Sequence, residues 1–177
     1  MEHASLTVSS FTLYRFRDPE GRVMAEARRG ASVDMLLAGF KEKLVEVREG
    51  RGNVFLDEGV EALWRLATAV DAATPFDSAN AHIGVGDGTA EANSAQTGLQ
   101  GVNKCYKPMD EGYPKVNGRR VEFRATFGPG EAAFEWNEWT VANGPGDDAA
   151  NLNRKVESLG AKPSDETWIL LVRLEIK

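Results

Sequence analysis

Strict alternation of apolar and polar positions marks the second half of the chain. Val121, Phe123, Ala125 and Phe127 alternate with Glu122, Arg124 and Thr126. A period of two predicts a half-buried strand. The last segment repeats the pattern, with Trp168, Leu170, Val172, Leu174 and Ile176 on one face. Its other face holds Ile169, Leu171, Arg173 and Glu175, so it is expected to be mostly buried at the start and half exposed at the end. Further strands are expected at His82–Val85, Phe134–Val141 and Leu152–Leu159. In a regular strand, Trp136 and Trp139 would point to opposite faces. Pro114-Lys115-Val116 leads into Asn117-Gly118, a two-residue hairpin signal. Between the strands lie a polar loop, Gly86–Gly101, and the surface loop Asn143–Asp148.

One segment has helical spacing throughout. Val60, Leu63, Trp64, Ala67 and Val70 recur at three and four residues, which predicts a helix over 57–70 with Asp57 as N-cap and the stripe packed on the core. Near the N-terminus, Phe11–Phe16, the turn Asp18-Pro19-Glu20-Gly21 and Arg22–Ala27 read as a hairpin over 9–29. Residues 31–50 carry two patterns. Val33, Leu36, Leu37, Phe40 and Leu44 fall at helical spacing, whereas Lys43–Arg48 alternates like a strand. An extended arm is the third reading. The fold class expected is mainly β with one prominent helix (57–70): a β-sandwich or β-barrel-like body over 53–177, preceded by an N-terminal hairpin and arm over 1–52.

Composition narrows the chemistry. With 21 basic and 27 acidic residues the formal charge is -6, so the basic footprint of general nucleic-acid binding is missing. One cysteine (Cys105) and two histidines (His3, His82) cannot build an intrachain disulfide or a structural thiolate–imidazole zinc site. The opening residues lack a basic-then-apolar leader pattern, and no apolar run approaches the ~20 residues of a membrane helix. A soluble protein made without a cleaved signal is expected. Glycine accounts for 18 of 177 residues, above the usual share of about 7%.

Several arrangements invite a chemical reading. Gly84-Val85-Gly86-Asp87-Gly88 suggests a phosphate cradle, but Thr89 stands where a dinucleotide fingerprint needs glycine, and no Gly-Lys-Ser/Thr tripeptide exists. The alternative is a tight turn with left-handed glycines. His82 lacks an evident nucleophile or orienting acid, and Cys105 has lysines on either side but no placed base. Glu135 with Glu138, and Asp147 with Asp148, are paired carboxylates. The second pair sits in a loop able to offer oxygen ligands to calcium, without the EF-hand pattern. Trp136 and Trp139 could stack on sugars, or pack in the core. No catalytic, metal or cofactor-binding residue is assigned, and no cofactor is expected.

The series Asn80-Ala81-His82-Ile83-Gly84-Val85-Gly86-Asp87-Gly88-Thr89, Gln96–Gly101, Phe123–Gly128, Trp136-Asn137-Glu138-Trp139 and Leu152–Lys155 resembles a group of small tailed-bacteriophage virion proteins. These share an "IGVGDGT" strand and loop, an "ATFGPGEA" strand and turn, and a "W-x-E-W-x-V-x-N" strand. The resemblance runs from Phe55 to Lys177, about two-thirds of the chain. It implies a structural role with no catalytic residues. The placement favoured is a capsid decoration (cement) protein on the outer shell, made in the host cytoplasm. Its partners would be the major capsid protein and copies of itself as a homotrimer, with no nucleic acid or membrane. The alternative is a tail-tip or tail-fibre component that binds a host-surface glycan. WNEWTVAN departs from the fibre form of that strand. Phe11, Leu13, Tyr14 and Phe16 are the expected exposed contacts, either between subunits or to the capsid, if the N-terminal region is an arm. If it is an ordinary hairpin, they pack on their own domain.

Overall fold

The computed structural model describes residues 7–176; the first six residues of the expected N-terminal region, and Lys177, lie outside it. In the first sheet, β1 (Thr7–Arg17) lies between β2 (Leu44–Arg51) and β10 (Glu166–Ile176). The sheet continues through β7 (Arg120–Phe127) to the short β6 (Lys115–Asn117), giving the order β2-β1-β10-β7-β6. The second sheet comprises β3 (Val54–Phe55), β4 (His82–Gly86), β5 (Lys104–Pro108), β8 (Glu135–Ala142) and β9 (Asn153–Ala161), in the order β3-β9-β8-β4-β5. All pairings are antiparallel. The two sheets bury a shared apolar core, the arrangement of a β-sandwich.

Core composition follows the predicted alternation. Phe123, Phe127, Trp168, Leu170 and Val172 from the first sheet meet Ile83, Val85, Trp136, Trp139 and Val141 from the second. Trp136 and Trp139 do not take opposite faces. The register of β8 against β9 shifts between Trp136 and Glu138. Across it β8 advances two residues while β9 advances four, and at this irregularity both indoles face the core. Trp136 then sits edge-on to Phe127 and Trp168, and Trp139 edge-on to Phe11.

The N-terminal hairpin is corrected. Residues 22–28 form helix α1 (Arg22–Arg28), not a return strand. Asp18 decides this: its carboxylate accepts the Arg22 and Met24 amides at 2.9 and 3.1 Å. The turn therefore opens a helix of good helix formers, Met, Ala and Glu among them. For residues 31–50 the helix and strand readings hold in succession and the arm does not. Ser32 caps α2 (Val33–Gly39), a 3₁₀ turn spans Lys41–Lys43, and β2 follows. α1 and α2 cover the outer face of the first sheet over Tyr14, Phe16, Ile169 and Leu171.

The exposure expected of Phe11, Leu13, Tyr14 and Phe16 is corrected too. They are buried, at 1%, 0%, 8% and 1% accessible. β1 is an interior strand: one of its faces packs Phe11 and Leu13 into the core shared with the second sheet, and the other packs Tyr14 and Phe16 under α1 and α2.

Candidate functional site

The clearest helix of the sequence is α3 (Asp57–Thr68). Its N-cap is Leu56, not Asp57, and it ends two residues early because Ala69 turns left-handed. The first turn is tied down from several directions. The Asp57 amide donates to the Ser94 carbonyl, and the Glu58 carboxylate accepts the amides of Gly98 and Asn151. Gly59 lies on the backbone of Asn151 and Leu152, which a Cβ would overlap. Close approach is the reason for glycine here.

This docking reverses the expected orientation. α3 packs through Gly59 and Ala62, both buried, with Leu66 half-buried. The stripe of larger side chains points outward: Val60 is 36% exposed, Leu63 41%, Trp64 66% and Val70 75%. Two apolar faces competed for the body, and the one with small residues won because it lets the backbones approach.

Beside Leu63 the surface dips into a groove of about 400 Å³, floored by Phe55, Phe76, Val121, Phe123 and Leu174. These are side chains at the open end of the sandwich core. Val116 (78% exposed) and Ile176 (60%) form the opposite lip. Isolated exposed apolar residues are ordinary, but a contiguous set rimmed by charge marks a contact surface. Away from the groove, on the side of α3 that carries Trp64, Arg65 reaches Glu61 at 3.1 Å and Asp71 at 3.3 Å. On the hairpin side the groove's rim carries Arg119 and Arg120, with Glu175 bonded to Arg120 at 3.2 Å.

The loop that suggested phosphate binding is built differently. The carboxylate of Glu138, fully buried, accepts the amides of Gly88, Gln100 and Gly101 at 3.1, 3.0 and 2.7 Å. It also takes the Arg154 Nε–H at 2.6 Å. The amides that could hold a bound anion hold the chain's own anion, within a buried ion pair. Gly84, Gly86 and Gly88 are not left-handed, as a tight turn would require. They are glycine because a Cβ would meet Tyr106 and Thr140, or Glu138. Asp87 closes the loop by accepting the Val102 and Asn103 amides and the Asn103 side chain. The Asn103 side chain leads in holding the Asp87 pKa below its ordinary value.

The other flagged groups are also in structural use. Asp147 accepts from Lys104, Tyr106 and the Leu99 amide. Burial acts to raise its pKa, but those bonds outweigh it and leave the carboxyl below the usual range. Asp148 is not brought into a cation site: no cluster of three His, Cys, Asp or Glu side chains forms among the described residues. His82 Nδ1 contacts the Asn80 carbonyl at 2.7 Å. Cys105 lies on β5, a strand the sequence pattern did not predict. Burial pushes its thiol up despite Lys107, the opposite of activation. Trp136 and Trp139 are buried, so they form no sugar platform; Trp64, expected in the core, is the exposed indole.

No family model matches the chain, and neither a curated protein nor a solved structure matches it. The α3 face was missed because periodicity shows that a helix has an apolar stripe, not which way the stripe points. Gly59 and Ala62, three apart, were the available signal of a second packing face.

Proposed function

We propose that the chain is a non-enzymatic structural protein of a tailed-bacteriophage virion, a capsid decoration (cement) protein that binds the assembled shell from outside. Its partners in this reading are the major capsid protein and copies of itself, three around a closed axis. The observation that carries it is the outward apolar stripe of α3 and its adjoining groove, on a body whose polar groups are spent on internal bonds. Burying one such side chain contributes about 1.5–3 kcal/mol, so a few contacts repeated around a symmetric assembly hold firmly through avidity. The buried Glu138–Arg154 clasp and the packed indoles make the rigid platform that a cement needs. The order of the 80–89, 96–101, 123–128 and 136–139 motifs supports the family assignment. The N-terminal arm drops out of the reading because its apolar residues are core.

Copy number in purified particles tests it. Quantitative mass spectrometry is expected to find the chain at hundreds of copies per particle, a level comparable with the shell protein. A handful of copies would move it to the tail, and absence from particles would end the virion reading. The tail-tip alternative with glycan binding keeps one supporting observation: the Trp64 ring is open to solvent, as a sugar platform requires. Glycan-array binding that is lost in Trp64→Ser would favour it.

A further inference from the structure

The dipeptide Asn-Gly occurs twice, at Asn117-Gly118 and Asn143-Gly144. It is the dipeptide most open to attack on a side-chain amide by the chain's own next nitrogen, because glycine has no Cβ to obstruct the approach. The two copies sit in opposite surroundings. Asn143 is buried and its carboxamide is held at both ends: Nδ2 donates to the Thr74 carbonyl, and Oδ1 accepts the Ala150 amide, each at 2.8 Å. Gly144 is buried too, with Ala149 close to where a Cβ would stand. Asn117 is exposed at the end of β6, and among the described residues no hydrogen bond holds its carboxamide. The Gly118 amide makes no backbone bond among them either, and nothing lies within 4 Å of where its Cβ would be.

In a strand the side chain stands away from the following amide, so reaction waits on local opening. The cost of opening follows what a segment buries. β6 is a three-residue edge strand, exposed throughout and paired only with β7. Peeling it away uncovers no buried residue of its own. Releasing Asn143 means pulling a buried loop off Thr74 and Ala150.

We propose that Asn117 is a site of spontaneous deamidation and that the fold protects Asn143. The Gly118 nitrogen gives up its proton to solvent and attacks the Asn117 side-chain carbonyl carbon. The new C–N bond closes a cyclic imide, and the side-chain nitrogen leaves as ammonia. Water then opens the ring at one of its two carbonyls. The product is aspartate, or isoaspartate with the main chain rerouted through the side chain. Water is the co-reactant, and nothing is oxidised or reduced. Either product places a carboxylate on the hairpin of Arg119 and Arg120, whose guanidiniums bond the Ile176 carbonyl at 2.6 Å and Glu175 at 3.2 Å. It competes for those cations, and isoaspartate also lengthens the turn, so the modification remodels this lip of the groove. The inference goes beyond the virion reading and does not depend on it.

Peptide mapping by mass spectrometry tests this on the full chain, incubated for weeks in warm, mildly alkaline buffer. In the folded protein, Asn117 is expected to convert from amide to acid at least ~10-fold faster than Asn143, with separable aspartate and isoaspartate products. In the urea-unfolded chain the two sites should react at comparable rates, since only the shared dipeptide then matters. In Asn117→Gln, which keeps the exposed amide but requires a larger ring, the acidic product at this position should disappear. Unchanged near-ultraviolet circular dichroism from the three buried indoles verifies that the variant folds. An Asn117 amide that survives in the folded chain while it reacts in urea overturns the proposal. Equal conversion of Asn117 and Asn143 in the folded chain overturns it as well.

Discussion

Beneath the 87–103 loop, the protein buries carboxylates; along α3, it leaves a tryptophan in solvent. The two regions adjoin, since Gly98 bonds to Glu58 of the helix and to its own loop neighbours. Their contrast concerns what each side chain can find inside one chain. Glu138 finds four donors and Arg154 Nε is one of them, so charge is tolerated at zero exposure. Trp64 finds no wall, because α3 has spent its contact area on Gly59 and Ala62. Burial here follows the availability of partners more closely than it follows hydrophobicity.

The largest effect expected comes from breaking the polar side of the contrast. Glu138→Ala leaves the Arg154 guanidinium and three amides buried without their acceptor, a loss of about 3–5 kcal/mol. For a chain of this size that lowers Tm by about 10 °C, read by calorimetry. A fall of only a degree or two would mean that water enters and replaces the carboxylate.

Next comes the contact that orients α3. Gly59→Val drives a branched side chain into the Leu152 backbone and is expected to cost about 1–3 kcal/mol. The helix should lift from the body, and amide exchange across 57–68 should accelerate before the sheets change. If exchange stays slow, α3 is held by the Glu58 bonds alone.

Asp147→Asn is milder, about 1–2 kcal/mol at neutral pH after discounting for its partial exposure. Its pH signature is sharper. The folded pKa of Asp147 lies below the unfolded value, so its contribution is fully present above about pH 4. That contribution disappears as pH falls through the folded value. The variant should therefore lose less stability than wild type on acidification below pH 4. Asp87 and Glu131, also shifted down, keep part of the slope. Parallel acid-denaturation curves would contradict the assignment.

Smallest is the apolar side. Trp64→Ser is expected to change monomer stability by no more than ~0.5 kcal/mol, as for other exposed substitutions. It should remove the red-shifted part of tryptophan emission. A loss above 2 kcal/mol would show that the ring is already covered in solution.

Most strands were legible in advance because period-two alternation and turn chemistry are local. Val121–Phe127 and Trp168–Ile176 appear where their patterns place them, and Gly118 takes the left-handed conformation at the predicted hairpin. The errors share a different origin. Arg22–Ala27 read as a strand because the Asp18 carboxylate that captures two amides there is itself held by Thr167, a residue 149 positions away. Phe11–Phe16 are the expected strand, but their burial stayed open in the sequence because the neighbours of β1 include β10, a strand more than 150 residues away. β5 went unread because Lys104–Pro108 does not alternate.

Local pattern was enough for a β-rich body, its turns, most of the aromatic content of its core and the existence of an amphipathic helix. These depend on residues within a few positions of one another. Packing in three dimensions is what turns both β8 indoles inward, fills the glycine-loop amides with Glu138 and sets the larger stripe of α3 outward. Each of those outcomes hangs on a close approach between segments distant in sequence: β9 against β8, Gln100 against Glu138, Leu152 against Gly59. A one-dimensional pattern states what a face is made of, and packing alone states what the face meets.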